Sequence, residues 1–367
     1  MATASSTVAG TAPRPPAASV GVLGWLRTRL FSSVLNSILT ILAVALLVWT
    51  VPPLVEWMVL DAVWGATRPE GCRAAHGACW ALVHEKGRLI LFGRYPYDEQ
   101  WRPLLAMTVL IVAIALSCNR DFWRPWLALA WAVTIGFFGL LMWGGVLGMT
   151  YVENTLWGGL PLTLILSVFG MVGSFPLAVA LALGRRSRMP IIHAFSVGYI
   201  ELIRGVPLIS VLFMASFMFP LFLPTGVKVD ELLRAQAAII LFTAAYLAEV
   251  VRGGLQSIPR GQYEAAKSLG LNYWQMTSMI VLPQALRAVI PPIVNTFISL
   301  FKDTSLVAIV SLFELLGSLR LALADPEWRN YFVEGYLFVA LIYFCFCFFM
   351  SKYSQYLESQ LQTGHRR

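Results

Sequence analysis

Residues 264 to 283 read EAAKSLGLNYWQMTSMIVLP. Glu264 to Ser268 are good helix formers, Gly270 can take the left-handed conformation that ends a helix, and Leu271 supplies the apolar residue that often follows such a cap. The pattern predicts a short helix that stops at about Leu269. Ala265 and Ala266 leave part of that helix almost without side chain, so that a groove on another protein can approach its backbone closely. Glu264 and Lys267 stay free for polar contacts. On Glu-Ala-Ala alone, the plainer reading is a surface helical hairpin with a glycine cap.

The 367 residues are 58% hydrophobic and 13% charged, with a mean hydropathy of +0.71. A soluble domain carries about 25% charged residues and lacks long uncharged runs. Apolar stretches near the ~20 residues needed to cross a bilayer occur at roughly 31–53, 103–118, 125–147, 159–183, 190–222, 236–252, 288–314 and 331–352. The expected fold is therefore all-α, a polytopic membrane protein of about eight transmembrane helices. The second stretch is short, although Trp101, Phe122 and Trp123 flank it as interfacial anchors do.

Basic residues orient these spans. With both termini inside, Arg14, Arg27, Arg29, the Arg120/Arg124 turn, the Arg185-Arg186-Ser187-Arg188 turn, the Arg252 to Arg287 loop, Lys352, Arg366 and Arg367 face the cytoplasm. The short outer loops then hold Lys228, Arg234, Arg320 and Arg329, while the longer outer loop 54–102 balances six Lys/Arg with six acidic residues. The positive-inside rule favours this orientation. It puts residues 264–283 on the cytoplasmic side, where ATP is. The net charge of +8 is then mainly membrane topology and calls for no nucleic acid.

Absences narrow the class. A phosphate-cradling P-loop needs a Gly-Lys pair, and none of Lys86, Lys228, Lys267, Lys302 and Lys352 follows a glycine. No cofactor is expected. His76, His84, His193 and His365 are scattered, and only the first two share a loop with Cys72 and Cys79, a weak case for a metal. Residues 1–30 begin with a stretch rich in Ala, Ser, Thr and Pro and read as a disordered cytoplasmic tail rather than a signal peptide. Cys72 and Cys79 lie within CRAAHGAC of the outer loop, where an oxidising compartment allows a small disulfide ring or two free thiols.

The sequence divides at about residue 150. Before it lies a three-span extension at 31–150 with outer loop 54–102; after it come a unit at 151–355 with cytoplasmic loop 253–287, and a tail at 356–367. Polar signatures crowd the second unit. YIELIRGVPLI, Tyr199 to Ile209, sets Glu201 and Arg204 three apart on one helix face, a spacing that suits a salt bridge between charges otherwise costly inside a span. Leu282 to Val307 places Pro283, Pro291 and Pro292 where helix hydrogen bonds are lost, as kinks or as plain helix starts. The same stretch ends on Lys302, Asp303, Thr304 and Ser305 in the seventh span.

Residues 264–283 resemble the EAA loop of bacterial ABC importer permeases: EAA, three residues, G, nine residues, I, any residue, LP, with every fixed position in register. That register outweighs the plain hairpin. With GRRS, RGVPL and KDTSL, the resemblance runs almost continuously over 151–360 to the branch that takes up polar amino acids. The three-span front end makes the chain similar to the larger permeases of general L-amino-acid importers and to those for glutamate, glutamine, aspartate and asparagine.

The resemblance implies a non-enzymatic subunit of an ATP-driven importer in the bacterial inner membrane, moving L-amino acids from periplasm to cytoplasm by alternating access. It implies ABC ATPase subunits, a second permease subunit expected as a different but homologous chain, and a periplasmic amino-acid-binding protein. Glu264, Ala265, Ala266, Gly270, Leu271, Ile280, Leu282 and Pro283 would form the ATPase-coupling element. A zwitterionic substrate needs an anion for its ammonium and donors for its carboxylate. Asp303 is the expected ammonium partner, with Arg204 or the Thr304 and Ser305 hydroxyls for the carboxylate. In the competing reading Glu201, Arg204, Lys302 and Asp303 neutralise one another as helix glue. An ion-coupled secondary amino-acid transporter would instead show paired repeats and no EAA loop, and a membrane enzyme would need converging catalytic groups.

Overall fold

A helix satisfies its own backbone donors and acceptors, so long apolar runs destined for a bilayer fold as long helices. The computed structural model describes residues 21–65, 70–73 and 76–362. They form α1 (Gly21–Arg29), α2 (Val34–Val55), α3 (Ala81–Phe92), α4 (Trp101–Ser117), α5 (Trp126–Trp143), α6 (Gly159–Arg185), α7 (Pro190–Arg204), α8 (Leu208–Phe213), α9 (Glu231–Ser257), α10 (Arg260–Ser268), α11 (Leu282–Ala288), α12 (Ile290–Asp303), α13 (Leu315–Ala322) and α14 (Phe332–Gln362), joined by shorter turns. Among the described residues seven helical segments are long and apolar enough to cross a membrane, or eight if a pair bent by 103° counts as one span.

That bent pair is Pro190–Arg204 with Leu208–Phe222, where the sequence predicts one stretch, 190–222. The break is local chemistry. Pro207 has no N–H and biases Val206 away from helical geometry, and Gly205 closes α7 by donating to the Glu201 carbonyl at 3.0 Å. Of the tail expected to be disordered over 1–30, residues 1–20 lie outside the described residues, but Gly21–Arg29 is helical; this stretch lacks the Pro and Ser density of the residues before it. Residues 363–367, including His365, also lie outside the described residues.

The chain forms two compact units, Met1–Trp80 and Ala81–Arg367. In the first, α2 runs past the expected end at residue 53 through Pro52 and Pro53 into a π turn at Glu56–Leu60. The backbone N–H of Glu56 bonds both proline carbonyls, which keeps the chain helical. The following loop folds back on this helix end. Val63 N–H donates to the Ala78 carbonyl at 2.9 Å, Ala78 N–H to that of Trp57 at 2.7 Å, and the Trp80 indole to that of Met58 at 2.8 Å. A disulfide joins Cys72 and Cys79, whose Cα atoms are 5.7 Å apart. Trp64 stacks on Trp80 with ring centroids 5.8 Å apart.

The second unit does not respect the sequence division at 150. Ile90, Met107, Phe138 and Leu141 share one buried cluster with Leu160, Phe301, Leu315 and Val339, so helices on both sides of residue 150 bury each other's apolar faces. Arg102 locks the join. Its guanidinium is fully buried and donates to the Leu141 carbonyl at 2.7 Å and the Thr150 carbonyl at 3.0 Å. Glu99 stands 3.5 Å away as its counter-charge. Burial pushes the Tyr95 phenol up to about 12, so it remains a donor and bonds the Met142 carbonyl at 3.1 Å. Together these side chains cap the C-terminal end of α5, whose last carbonyls have no helical partner.

At the same end of the unit, the turn Trp157-Gly158-Gly159 begins α6. Gly159 has φ +62, and a Cβ there would lie 2.1 Å from the Leu91 carbonyl oxygen. Only glycine fits. Its N–H donates to the Phe313 carbonyl at 2.9 Å, which brings the ends of α3 and α6 and the loop before α13 together. Further along, α6 packs closely on α9 through small residues, with Ala178, Ala182, Ala244 and Ala248 all buried in one cluster. Such small-residue faces let membrane helices approach closely.

Candidate functional site

Helix α10 starts after Pro259 and ends by a defined hydrogen-bond pattern. Leu271 N–H reaches the Ala266 carbonyl at 3.2 Å and Gly270 N–H the Lys267 carbonyl at 2.9 Å, with Gly270 at φ +73. This is a Schellman cap, with Leu269 as the cap residue. No atom lies within 4 Å of a Cβ added to Gly270, so the demand for glycine is conformational. Asn272 then opens the next helical run by a capping box with Gln275, in bonds of 2.9 and 3.1 Å.

The faces of α10 differ from one expectation. Glu264, Ala265 and Lys267 are exposed, but Ala266 is 1% exposed and packs into its own chain among Val251, Met276 and Val281. Successive helical residues point about 100° apart, so adjacent alanines cannot both face a partner. Leu271, Ile280 and Leu282 rest half-buried on the same cluster. Pro283 is exposed at the second position of α11, directly after a π turn at Met276–Val281. Its missing donor thus falls at a widened turn of a continuing helix, whereas Pro291 and Pro292 fall in the first turn of α12 and mark a helix start. Gln284 bonds Gln262 at 3.0 Å, tying α11 to α10.

The charges of α7 do not pair with each other. Arg185 at the end of α6 holds Glu201 at 2.9 Å and Glu249 at 2.8 Å, while Arg204 lies 3.8 Å from Glu249. Arg252 grips Glu249 with two nitrogens, at 2.9 and 3.0 Å. Glu249, on α9, is therefore the hub of a network spanning three helices. Glu249 is not among the charges predicted above to pair. Its signal was the Glu249/Arg252 pair three apart in AEVVRG.

Asp303 lies in the lining of a cavity of about 420 Å³, together with Thr243, Tyr246, Asn295, Thr296 and Ser299. Asn295, Ser299 and Asp303 are spaced by four on α12 and share one face, a regularity legible in the sequence once the helix is placed. Arg204 is not among the lining residues, but its guanidinium lies 5.6 Å from the centre of the ring of Tyr246, which is. The neighbours of Asp303 behave differently. Thr304 is fully buried and donates to its own helix at the Phe301 carbonyl, 2.7 Å away. Lys302 is exposed and Ser305 half-buried, and neither lines the cavity. The helical turn separates four consecutive polar residues onto different sides, so of KDTS only Asp303 reaches the cavity.

The family described as binding-protein-dependent transport system inner membrane component matches residues 174–362. The inner membrane amino-acid ABC transporter permease protein YhdY of Escherichia coli K12 is 49% identical over 360 residues, covering 96% of each chain. The glutamate/glutamine/aspartate/asparagine transport system permease protein BztC of Rhodobacter capsulatus is 40% identical over 423 residues, covering 97% of each. A crystal structure of an amino acid ABC transporter with histidines aligns at a TM-score of 0.49 and 27% identity, over 55% of this chain and 92% of that one.

Proposed function

Because this chain belongs to the family of binding-protein-dependent transport system inner membrane components, we propose that it is the multi-pass permease subunit of an ABC importer for polar L-amino acids in the inner membrane. The observation that carries the amino-acid reading is full-length similarity to an amino-acid ABC permease at 49% identity. ATP hydrolysis belongs to separate ATPase subunits, and a second permease subunit and an amino-acid-binding protein complete the assembly. Both termini are cytoplasmic in this proposal. The positive-inside distribution supports that, as does the grouping of Arg186 with Leu255 and Tyr263 at the helix end opposite the Gly159–Phe313 contact.

In this reading the exposed Glu264, Ala265 and Lys267 face the ATPase, and the Gly270 cap fixes the angle at which α10 meets the following helix. Gly270→Ala is expected to cost about 1 kcal/mol through its left-handed backbone. It should weaken ATPase capture more than it lowers permease yield; a binding titration on solubilised permease reads the first, and equal losses in both would remove Gly270 from the docking role.

For the substrate, Asp303 binds the ammonium group, and Asn295, Thr296, Ser299 and Tyr246 supply polar contacts around it, with Arg204 near the carboxylate. The cavity lining supports Asp303 over Thr304 and Ser305. Reconstituted complex carrying Asp303→Asn should import at least about tenfold more slowly, the cost of roughly 1.4 kcal/mol of lost charge pairing. Unchanged import would sink direct contact by Asp303. Import that needs ATP and ignores ion gradients tests the assignment as a whole.

A further inference from the structure

Pro259 leaves a specific gap at the end of α9. The carbonyl of Leu255 would accept from the N–H four residues on, but position 259 is proline and has none. Two side chains from elsewhere fill it. Arg186, immediately after α6, donates Nη1 to the Leu255 carbonyl at 2.8 Å, and Tyr263 of α10 donates its hydroxyl to the same oxygen at 3.2 Å. Arg186 also donates to the Tyr263 hydroxyl at 3.1 Å, and its guanidinium lies 5.7 Å from the centre of the Tyr263 ring. One carbonyl therefore joins the ends of two spans to the helix expected to meet the ATPase.

Beside this junction, Ala266 of α10 sits in the apolar cluster that holds Val251 of α9, a contact without the direction a hydrogen bond has. Between α9 and α10 the chain runs only through Ile258 and Pro259, which cannot carry a hydrogen-bonded helix onward, and the Gln262–Gln284 bond leads to α11 rather than to α6. Tyr263 sits one residue before Glu264, so a push on the exposed face of α10 acts directly on the junction.

We propose that Arg186 and Tyr263 are positioning residues that convey displacement of α10 to α6 and α9 together through the Leu255 carbonyl. The inference rests on the reading of α10 as the ATPase-coupling helix. Cutting the junction separates two activities that are normally linked. The ATPase keeps its contact with Glu264, Ala265 and Lys267 and still turns over, while the spans no longer follow.

The test is the reconstituted full complex with its binding protein and a radiolabelled amino acid, with import and ATP hydrolysis read in the same vesicles. Tyr263→Phe and Arg186→Gln should each lower import about tenfold while hydrolysis stays within about twofold, raising the ATP spent per molecule imported. Arg186→Lys keeps a charged donor and should recover most of the import. Parallel loss of import and hydrolysis would reduce the junction to a structural tie and overturn the proposal. So would import that is unchanged in both variants, or no recovery with lysine. Native complex that imports without ATP would strike instead at the underlying reading of α10.

Discussion

Glu314→Ala is expected to lower the stability of the second unit by about 4 kcal/mol, the combined cost of the hydrogen-bond donors it leaves unpaired. Glu314 is completely buried. Its carboxylate caps α13 by accepting from the N–H groups of Leu316 at 2.9 Å and Gly317 at 2.8 Å. It also accepts from the Tyr343 hydroxyl at 2.8 Å and the Thr163 hydroxyl at 3.4 Å. Alanine leaves two backbone donors and a tyrosine hydroxyl unmatched around a buried position, and each such group costs about 1–3 kcal/mol where it is buried. The loss should appear as a lower thermal midpoint in detergent and a sharp fall in folded yield. Tyr343→Phe removes one of the four donors and should cost about 1 kcal/mol. A Glu314→Ala loss no larger than that of Tyr343→Phe would show that water or rearrangement replaces the carboxylate.

Glu249→Ala ranks second, at about 3 kcal/mol by the same physics, discounted because the arginines around it are partly exposed and screened. Three guanidinium groups converge on this carboxylate. Without it, Arg185 keeps only Glu201 among the ion pairs described, and Arg204 and Arg252 lose theirs. The consequence is both energetic and mechanical, because the hub joins α6, α7 and α9. Glu249→Gln retains an acceptor for Arg252 and should cost roughly half as much. Import is expected to fall in both variants in order of stability lost. A change below about 0.5 kcal/mol in Glu249→Ala, the level of an ordinary surface substitution, would mean the arginines find lipid or solvent partners equally good.

Much of the candidate site was readable as sequence because its determinants are local. The cap at Gly270 depends on helix formers, one glycine and the apolar residue after it, all within a few positions. The apolar runs predict the spans, apart from the 190–222 stretch, where Gly205-Val206-Pro207 breaks a run whose hydropathy is continuous. Pairing was less legible. Glu201 and Arg204 have the right spacing to bond each other, yet Arg185 and Glu249, sixteen and forty-five positions away respectively, are better placed partners. Spacing along one helix ranks local pairs only, and packing of α6 on α9 supplies competitors it cannot see.

By itself, the sequence determined that this is an α-helical membrane protein with a short helix through Glu264–Ser268 that a glycine cap ends at about Leu269, because length, hydropathy and cap chemistry act within one turn or one span. Only the tertiary structure decided which polar residues meet. It turned Asp303 into a cavity and Thr304 into the packing, Ala265 outward and Ala266 inward, and it brought Arg186 to the carbonyl that Pro259 leaves open. It also joined the helices on both sides of residue 150 through Arg102 and a shared apolar cluster. The reason is physical: burial and hydrogen-bond satisfaction are settled between helices distant in sequence, where no local pattern ranks one partner above another.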